Sequence, residues 1–189
     1  MKLKPIEIET IKLTVVGKTP YLPEPMDMSV LEMYDNKKSK QTYQKDDVSE
    51  DVKAKLKYYF TEDGEKGIPA RAFYNAMIRA SSYIFEKKDG GMRNVKEGVV
   101  VKGDILPLIY GNEKRLIHWG RTSGMTKAPR KIIRNAFYDW SCILQIEFNA
   151  TQISREQVIN VLNWAGFHIG VGGFRKEKTG NFGMFEIQS

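Results

Sequence analysis

The sequence predicts an α+β fold in which an antiparallel sheet carries helices on one face, with two insertions. Three observations predict it. Apolar residues alternate at Ile11, Leu13 and Val15, and again at Cys142, Leu144, Ile146 and Phe148, the period of half-buried strands. Two other segments, opening at Pro69 and at Ser154, carry apolar residues at helical spacing. The elements then run strand, helix, strand, strand, helix, strand, which is the ferredoxin-like (RRM-like) arrangement.

The first strand spans Ile6 to Val16. Ile6 and Ile8 are out of phase with Ile11, Leu13 and Val15, which predicts a bulge or an edge position near Thr10. Pro20, Pro23 and Pro25 end regular structure. Residues 20–66 read as a charged insertion, with a short helix near Glu50 to Phe60. Pro69 suits a first helical turn, and Phe73, Met77, Ala80 and Ile84 carry the helix to Phe85, where Asp89-Gly90-Gly91 closes it. Strands follow at Gly98 to Val101 and Ile105 to Tyr110. Residues 111–138 read as a basic hairpin or loop insertion, broken by Gly120, Gly124 and Pro129.

The C-terminal part is the most regular. A strand covers Cys142 to Phe148. Ser154 and Gln157 form a capping-box pair, and Ile153 and Val158 hold the staple positions. Val158, Val161, Leu162 and Ala165 mark one helix face, and Gly166 is placed to end the helix in the left-handed conformation. A glycine-rich segment and a last strand, Asn181 to Ile187, complete a single domain over residues 1–189.

Composition narrows the function. The formal net charge is +7, a balance that favours polyanionic partners. Cys142 is the single cysteine, so no intrachain disulfide or cysteine-cluster metal site can form. No acidic pair or His/Asp cluster has metal-ligand spacing, and no cofactor is expected. The N-terminus lacks a continuous apolar signal region, and no apolar run is long enough to span a membrane.

Two segments could bind an anion. From Lys114 to Tyr138 there are seven lysines and arginines and no acidic residue. Arg121, Lys127, Arg130, Lys131 and Arg134 alternate with Trp119, Met125 and Phe137, pairing phosphate binders with stacking surfaces. Between Gly166 and Gly183 lie six glycines, with Arg175, Lys176 and Lys178 among them. Backbone N–H groups around Gly170, Gly172 and Gly173 could cradle phosphates. The alternative for this loop is tight helix-to-strand packing. It is neither a P-loop nor a dinucleotide fingerprint, because it follows a helix and precedes a strand. His118 and His168 are the only histidines, each in an apolar run, where a structural role is commoner than an acid–base one.

The order strand, helix, glycine-rich loop, short strand over Cys142 to Ile187 resembles the RAMP superfamily of CRISPR effector proteins. Ile68-Pro69-Ala70-Arg71-Ala72-Phe73 is similar to the proline-led helix start of those proteins. A basic insertion between the second and third core strands resembles the thumb of their backbone subunits. On Arg134-Asn135-Ala136-Phe137-Tyr138-Asp139-Trp140 and Ala165 to Gly172, the whole chain is similar to a group of small bacteriophage proteins. The resemblance implies a ferredoxin-like fold whose glycine-rich loop contacts RNA. The chain departs from the pattern at Phe174 and Glu177, where a denser basic cluster would sit.

The leading expectation is a non-enzymatic nucleic-acid-binding protein, phage-encoded and cytoplasmic in a bacterial host. It would bind RNA or single-stranded DNA through Arg121, Lys127, Arg130, Lys131, Arg134, Gly170, Gly172, Gly173, Arg175, Lys176 and Lys178, and could act as a homo-oligomer. Two alternatives stay open. One is an interaction protein that inhibits a host defence complex through residues 26–57 and the basic surface, with Met26, Met28 and Met33 covering a hydrophobic patch or a partner surface. The other is a metal-independent ribonuclease using His118 or His168.

Overall fold

The computed structural model describes residues 5–25, 57–86, 91–121 and 129–188. Within them the chain is an α+β protein with antiparallel sheets and three α-helices. The main sheet has four strands: β1 (Ile8–Gly17), β4 (Val99–Val101), β8 (Ser141–Asn149) and β9 (Phe185–Gln188), in the order β4-β8-β1-β9. Each neighbouring pair is antiparallel, and β1 runs against β8 without interruption from Ile8↔Asn149 to Val16↔Ser141. The continuous register leaves no bulge at Thr10, but β9 pairs only with Thr14 to Gly17, so among the described strands Thr10 is paired on one side only, the edge position. Ile6 and Ile8 are out of phase because they face solvent, at 74% and 59% exposure.

Alternation decides which face of this sheet is buried. Ile11, Val15, Cys142, Leu144, Ile146 and Phe148 point into the core, while Thr10, Lys12, Thr14 and Ile143 are exposed. Two helices cover the buried face, α1 (Ala70–Ile84) and α3 (Arg155–His168). Phe73, Ala76, Met77 and Ala80 of α1 and Val158, Val161, Leu162 and Ala165 of α3 form one cluster with the strands. Pro69, expected in the first helical turn, is instead the extended cap residue just before α1, a position whose N–H the helix does not use. The Ser154 capping box is complete: Gln157 N–H donates to Ser154 Oγ at 3.3 Å, and Ser154 N–H donates to Gln157 Oε1 at 2.9 Å. Ile153 and Val158 are both buried.

Three readings are corrected. Residues 59 and 60, expected at the end of a helix, form strand β2 (Tyr59–Phe60); the preceding residues 50–56 lie outside the described residues. A helix not foreseen, α2 (Gly91–Gly98), precedes β4 and buries Val95 between its terminal glycines. Gly166 does not end α3 but lies inside it, where a side chain would collide with the backbone of Phe185. The left-handed residue is Gly170, at φ 76°.

Residues 112–138 form a long hairpin, β6 (Asn112–Arg121) against β7 (Pro129–Tyr138). Its base is fastened twice. Tyr21 and Phe137 exchange backbone hydrogen bonds at 2.9 Å. On the other side, β3 (Lys66–Pro69), paired with β2 and with β5 (Ile105–Pro107), brings Lys66 Nζ to 2.5 Å from Glu113 Oε2. Lys66 also lies over the rings of Tyr58, Tyr110 and Phe137. Among the described residues, no helix is long and apolar enough to cross a membrane.

Candidate nucleic-acid interface

The glycine-rich loop between α3 and β9 folds back on the chain. Gly170, Gly172 and Gly183 all have positive φ, as do Phe174 and Thr179. A short 3₁₀ turn, Lys176–Lys178, sits in its middle. Gly172 packs so closely on Leu22 and Tyr21 that a Cβ there would clash with both. Gly173 makes the same allowance for Arg134. The glycines therefore serve close approach to residues 20–24 and to the hairpin.

The backbone amides of this loop point mostly inward. Val171 N–H donates to Gly183 at 2.9 Å, Gly173 to Leu22 at 2.7 Å, Gly180 to Arg175 at 3.1 Å and Gly183 to Pro20 at 2.9 Å. Glu177, Lys178 and Thr179 also donate within the molecule. A cradle of amides around Gly170 to Gly173 needs those donors free, and three of the four are already bonded, Gly170 to the Ala165 carbonyl at 2.9 Å. What the loop presents outward is side chains.

Its charges are grouped around carboxylates. The Glu177 carboxylate bridges two arginines: Arg79 from α1 reaches Oε1, and Arg175 Nε donates to Oε2 at 3.0 Å. Arg175 Nη1 also donates to the Gly172 carbonyl at 3.1 Å. Burial, and then the facing Arg79 charge, pull the Arg175 guanidinium below its usual value, with Glu24 acting the other way. Lys176 lies 3.7 Å above the exposed ring of Phe167. Lys178 is exposed.

Between α1 and this loop lies a cavity of about 190 Å³. Ala72, Ala76, Ile169 and Val171 floor it, and Glu24, Tyr59, Asn75, Arg79 and Arg175 ring it. Sequence reasoning missed Arg79 and Glu24. Arg79 sits on the exposed side of a regular amphipathic helix, and nothing in its spacing marks it. Glu177 did carry a signal, as the one carboxylate in a basic loop.

The hairpin residues do not form one row. Arg134, expected on the open basic surface, is 8% exposed and pairs with Glu24 at 2.7 Å. Lys131 stands opposite Trp119 in the register and Arg134 opposite Leu116, so Lys131 and Arg134 occupy opposite faces of the ribbon. Lys131 is exposed, and Trp119 is 71% exposed. Lys114 and Arg115 add exposed basic side chains toward the base. Arg121 and Arg130 fall near the hairpin tip, on β6 and β7. Lys127 lies outside the described residues, as do Met26, Met28, Met33 and the rest of residues 26–56.

His168 stacks on Trp164 with ring centroids 3.9 Å apart, and Trp164 stacks in turn on Tyr83 at 5.3 Å. His118 lies in β6. Among the described residues no group of three His, Cys, Asp or Glu side chains could hold a metal ion.

The chain matches no protein-family model and no curated protein. Among solved structures it is similar in fold to Cmr6 from Pyrococcus furiosus, at 9% identity and a TM-score of 0.47, covering 97% of this chain and 100% of that one. It is also similar to a chain of the Type III-B Cmr-beta complex bound to cognate target RNA, at 14% identity and a TM-score of 0.43. That match covers 96% of this chain and 59% of the other. At these scores the likeness is one of outline and carries no residue-level or functional argument for this chain.

Proposed function

We propose that this chain is one ferredoxin-like domain over residues 1–189, with insertions at 20–66 and 111–138, that binds single-stranded nucleic acid without cutting it. The sheet order β4-β8-β1-β9, with α1 and α3 on one face, supports the fold. One observation carries the function: Trp119 stands 71% exposed on a basic hairpin, opposite the exposed Lys131. An indole so exposed does no core packing, and a π-face beside cations is the pattern that stacks bases and neutralises phosphates. Lys176 and Lys178 on the glycine-rich loop, with Arg175 behind them, extend the basic surface. Single strands fit better than duplex, because stacking on Trp119 needs a base with an open face.

Competition binding at fixed salt with single-stranded RNA, single-stranded DNA and duplex DNA tests this. Single strands should compete more strongly than duplex. Equal or stronger competition by duplex contradicts the stacking account.

A further inference from the structure

The cavity between α1 and the glycine-rich loop has a lining that a phosphate site does not explain. A phosphate asks for donors and positive charge, yet this cavity has an apolar floor of Ala72, Ala76, Ile169 and Val171. Its lining also includes a carboxylate, Glu24, close enough to act on the Arg175 charge, together with Arg79. At about 190 Å³ it is smaller than the pockets of about 300–1,000 Å³ that hold drug-sized ligands. That size suits one planar ring system and not a ring with its sugar and phosphate.

We infer that this cavity receives one unstacked base of the bound strand, and that its ring of Arg79, Arg175 and Glu24 selects guanine. The inference rests on the nucleic-acid reading above and names the base that reading leaves open. Guanine presents two acceptors, O6 and N7, on one edge, and the N1–H and N2 amino donors on the next. Arginine pairing with O6 and N7 is the commonest base-specific contact, and a carboxylate accepts from the amino edge. Adenine and the pyrimidines do not offer both edges in that order. The two guanidiniums are held in place before a base arrives. Glu177 bridges them from outside the lining, using Nε and Nη2 of Arg175 and Nη1 of Arg79. The Gly172 carbonyl fixes Arg175 Nη1. Glu24 takes one hydrogen bond from Arg134 and is half exposed, so the carboxylate keeps acceptor capacity toward the cavity. The Asn75 amide and the Tyr59 ring complete the rim.

The test uses uridine-rich RNA 12-mers with one internal guanosine, adenosine, cytidine or inosine, and an all-uridine control. Each is titrated by fluorescence anisotropy against the full chain and against Arg79→Gln. The guanosine strand should bind at least about fivefold tighter than the control. Inosine, which lacks the N2 amino group that Glu24 would accept, should lose part of that gain. Arg79→Gln should erase the preference, so that the guanosine strand binds that variant no tighter than the all-uridine control does. Equal affinity for all strands overturns the inference and leaves the nucleic-acid reading standing. A preference for another base, or a guanosine preference that survives in Arg79→Gln, also overturns it. If no strand binds, the nucleic-acid reading falls and the inference falls with it.

Discussion

The Arg134 guanidinium donates from Nη2 to Glu24 Oε1 at 2.7 Å, joining residues 110 apart in the chain. The pair is unequal. The Arg134 side chain is 10% exposed and that of Glu24 is 49% exposed. Removing Glu24 leaves a buried cation without its carboxylate, whereas removing Arg134 leaves a carboxylate that water can reach. In chemical denaturation Glu24→Ala should cost about 2–3 kcal/mol, and Arg134→Met about 1 kcal/mol or less. Equal costs would mean that the pair is solvated on both sides.

Glu113 sets an acid limit on stability. Burial alone would raise its carboxyl, but donors from Lys66, Tyr58 and Asn135 outweigh it and hold the group below its usual 4.5. A carboxyl depressed in the folded state stabilises the fold above its unfolded value and loses that contribution as pH falls through the folded one. Lys66 is shifted up, so its contribution is lost only at high pH. Thermal melts from about pH 5 to about pH 3 should therefore fall more steeply for the wild type than for Glu113→Gln. Parallel curves would remove Glu113 from the acid transition.

Cys142 faces the core from β8, and burial pushes its thiol up to about 12. The thiolate is the reactive form, so a disulfide-exchange reagent should label Cys142 only after denaturant unfolds the chain. Rapid labelling in native buffer would place β8 in a different environment.

Gly166→Ala should destabilise the protein, although alanine is the better helix former. A Cβ at this position collides with the Phe185 carbonyl. The overpacking should cost about 1–3 kcal/mol, against a propensity gain of about 1 kcal/mol or less. A denaturation midpoint above that of the wild type would show that α3 and β9 are less tightly packed.

The elements legible in the sequence are those whose own residues set their limits. Ser154 and Gln157 close a local ring of hydrogen bonds, and the Cys142 to Phe148 alternation sets which face of β8 is buried. The misreadings arise where distant contacts decide. Gly166 has the look of a helix end, but its missing side chain is what admits Phe185. The α2 sequence, Gly-Met-Arg-Asn-Val-Lys-Glu-Gly, has too few apolar residues to show a period, and packing through Val95 holds it. The basic run gave the hairpin its character but not its sides. The three-residue step from Lys131 to Arg134 puts one outside and the other beneath Gly173. Arg79 and Glu24 join the candidate site only because α1 and residues 20–24 meet over the same loop.

The central claim is tested most directly by salt-titrated binding of a labelled single-stranded RNA to the wild type and to Trp119→Ala. The account predicts binding whose log affinity falls with log salt at a slope of about −3.5, as for roughly five phosphate contacts on a single strand. Trp119→Ala should weaken binding by about 1–3 kcal/mol with the slope unchanged, because stacking is lost and charge is kept. No binding at about 50 mM salt, or binding that Trp119→Ala leaves intact, contradicts the account.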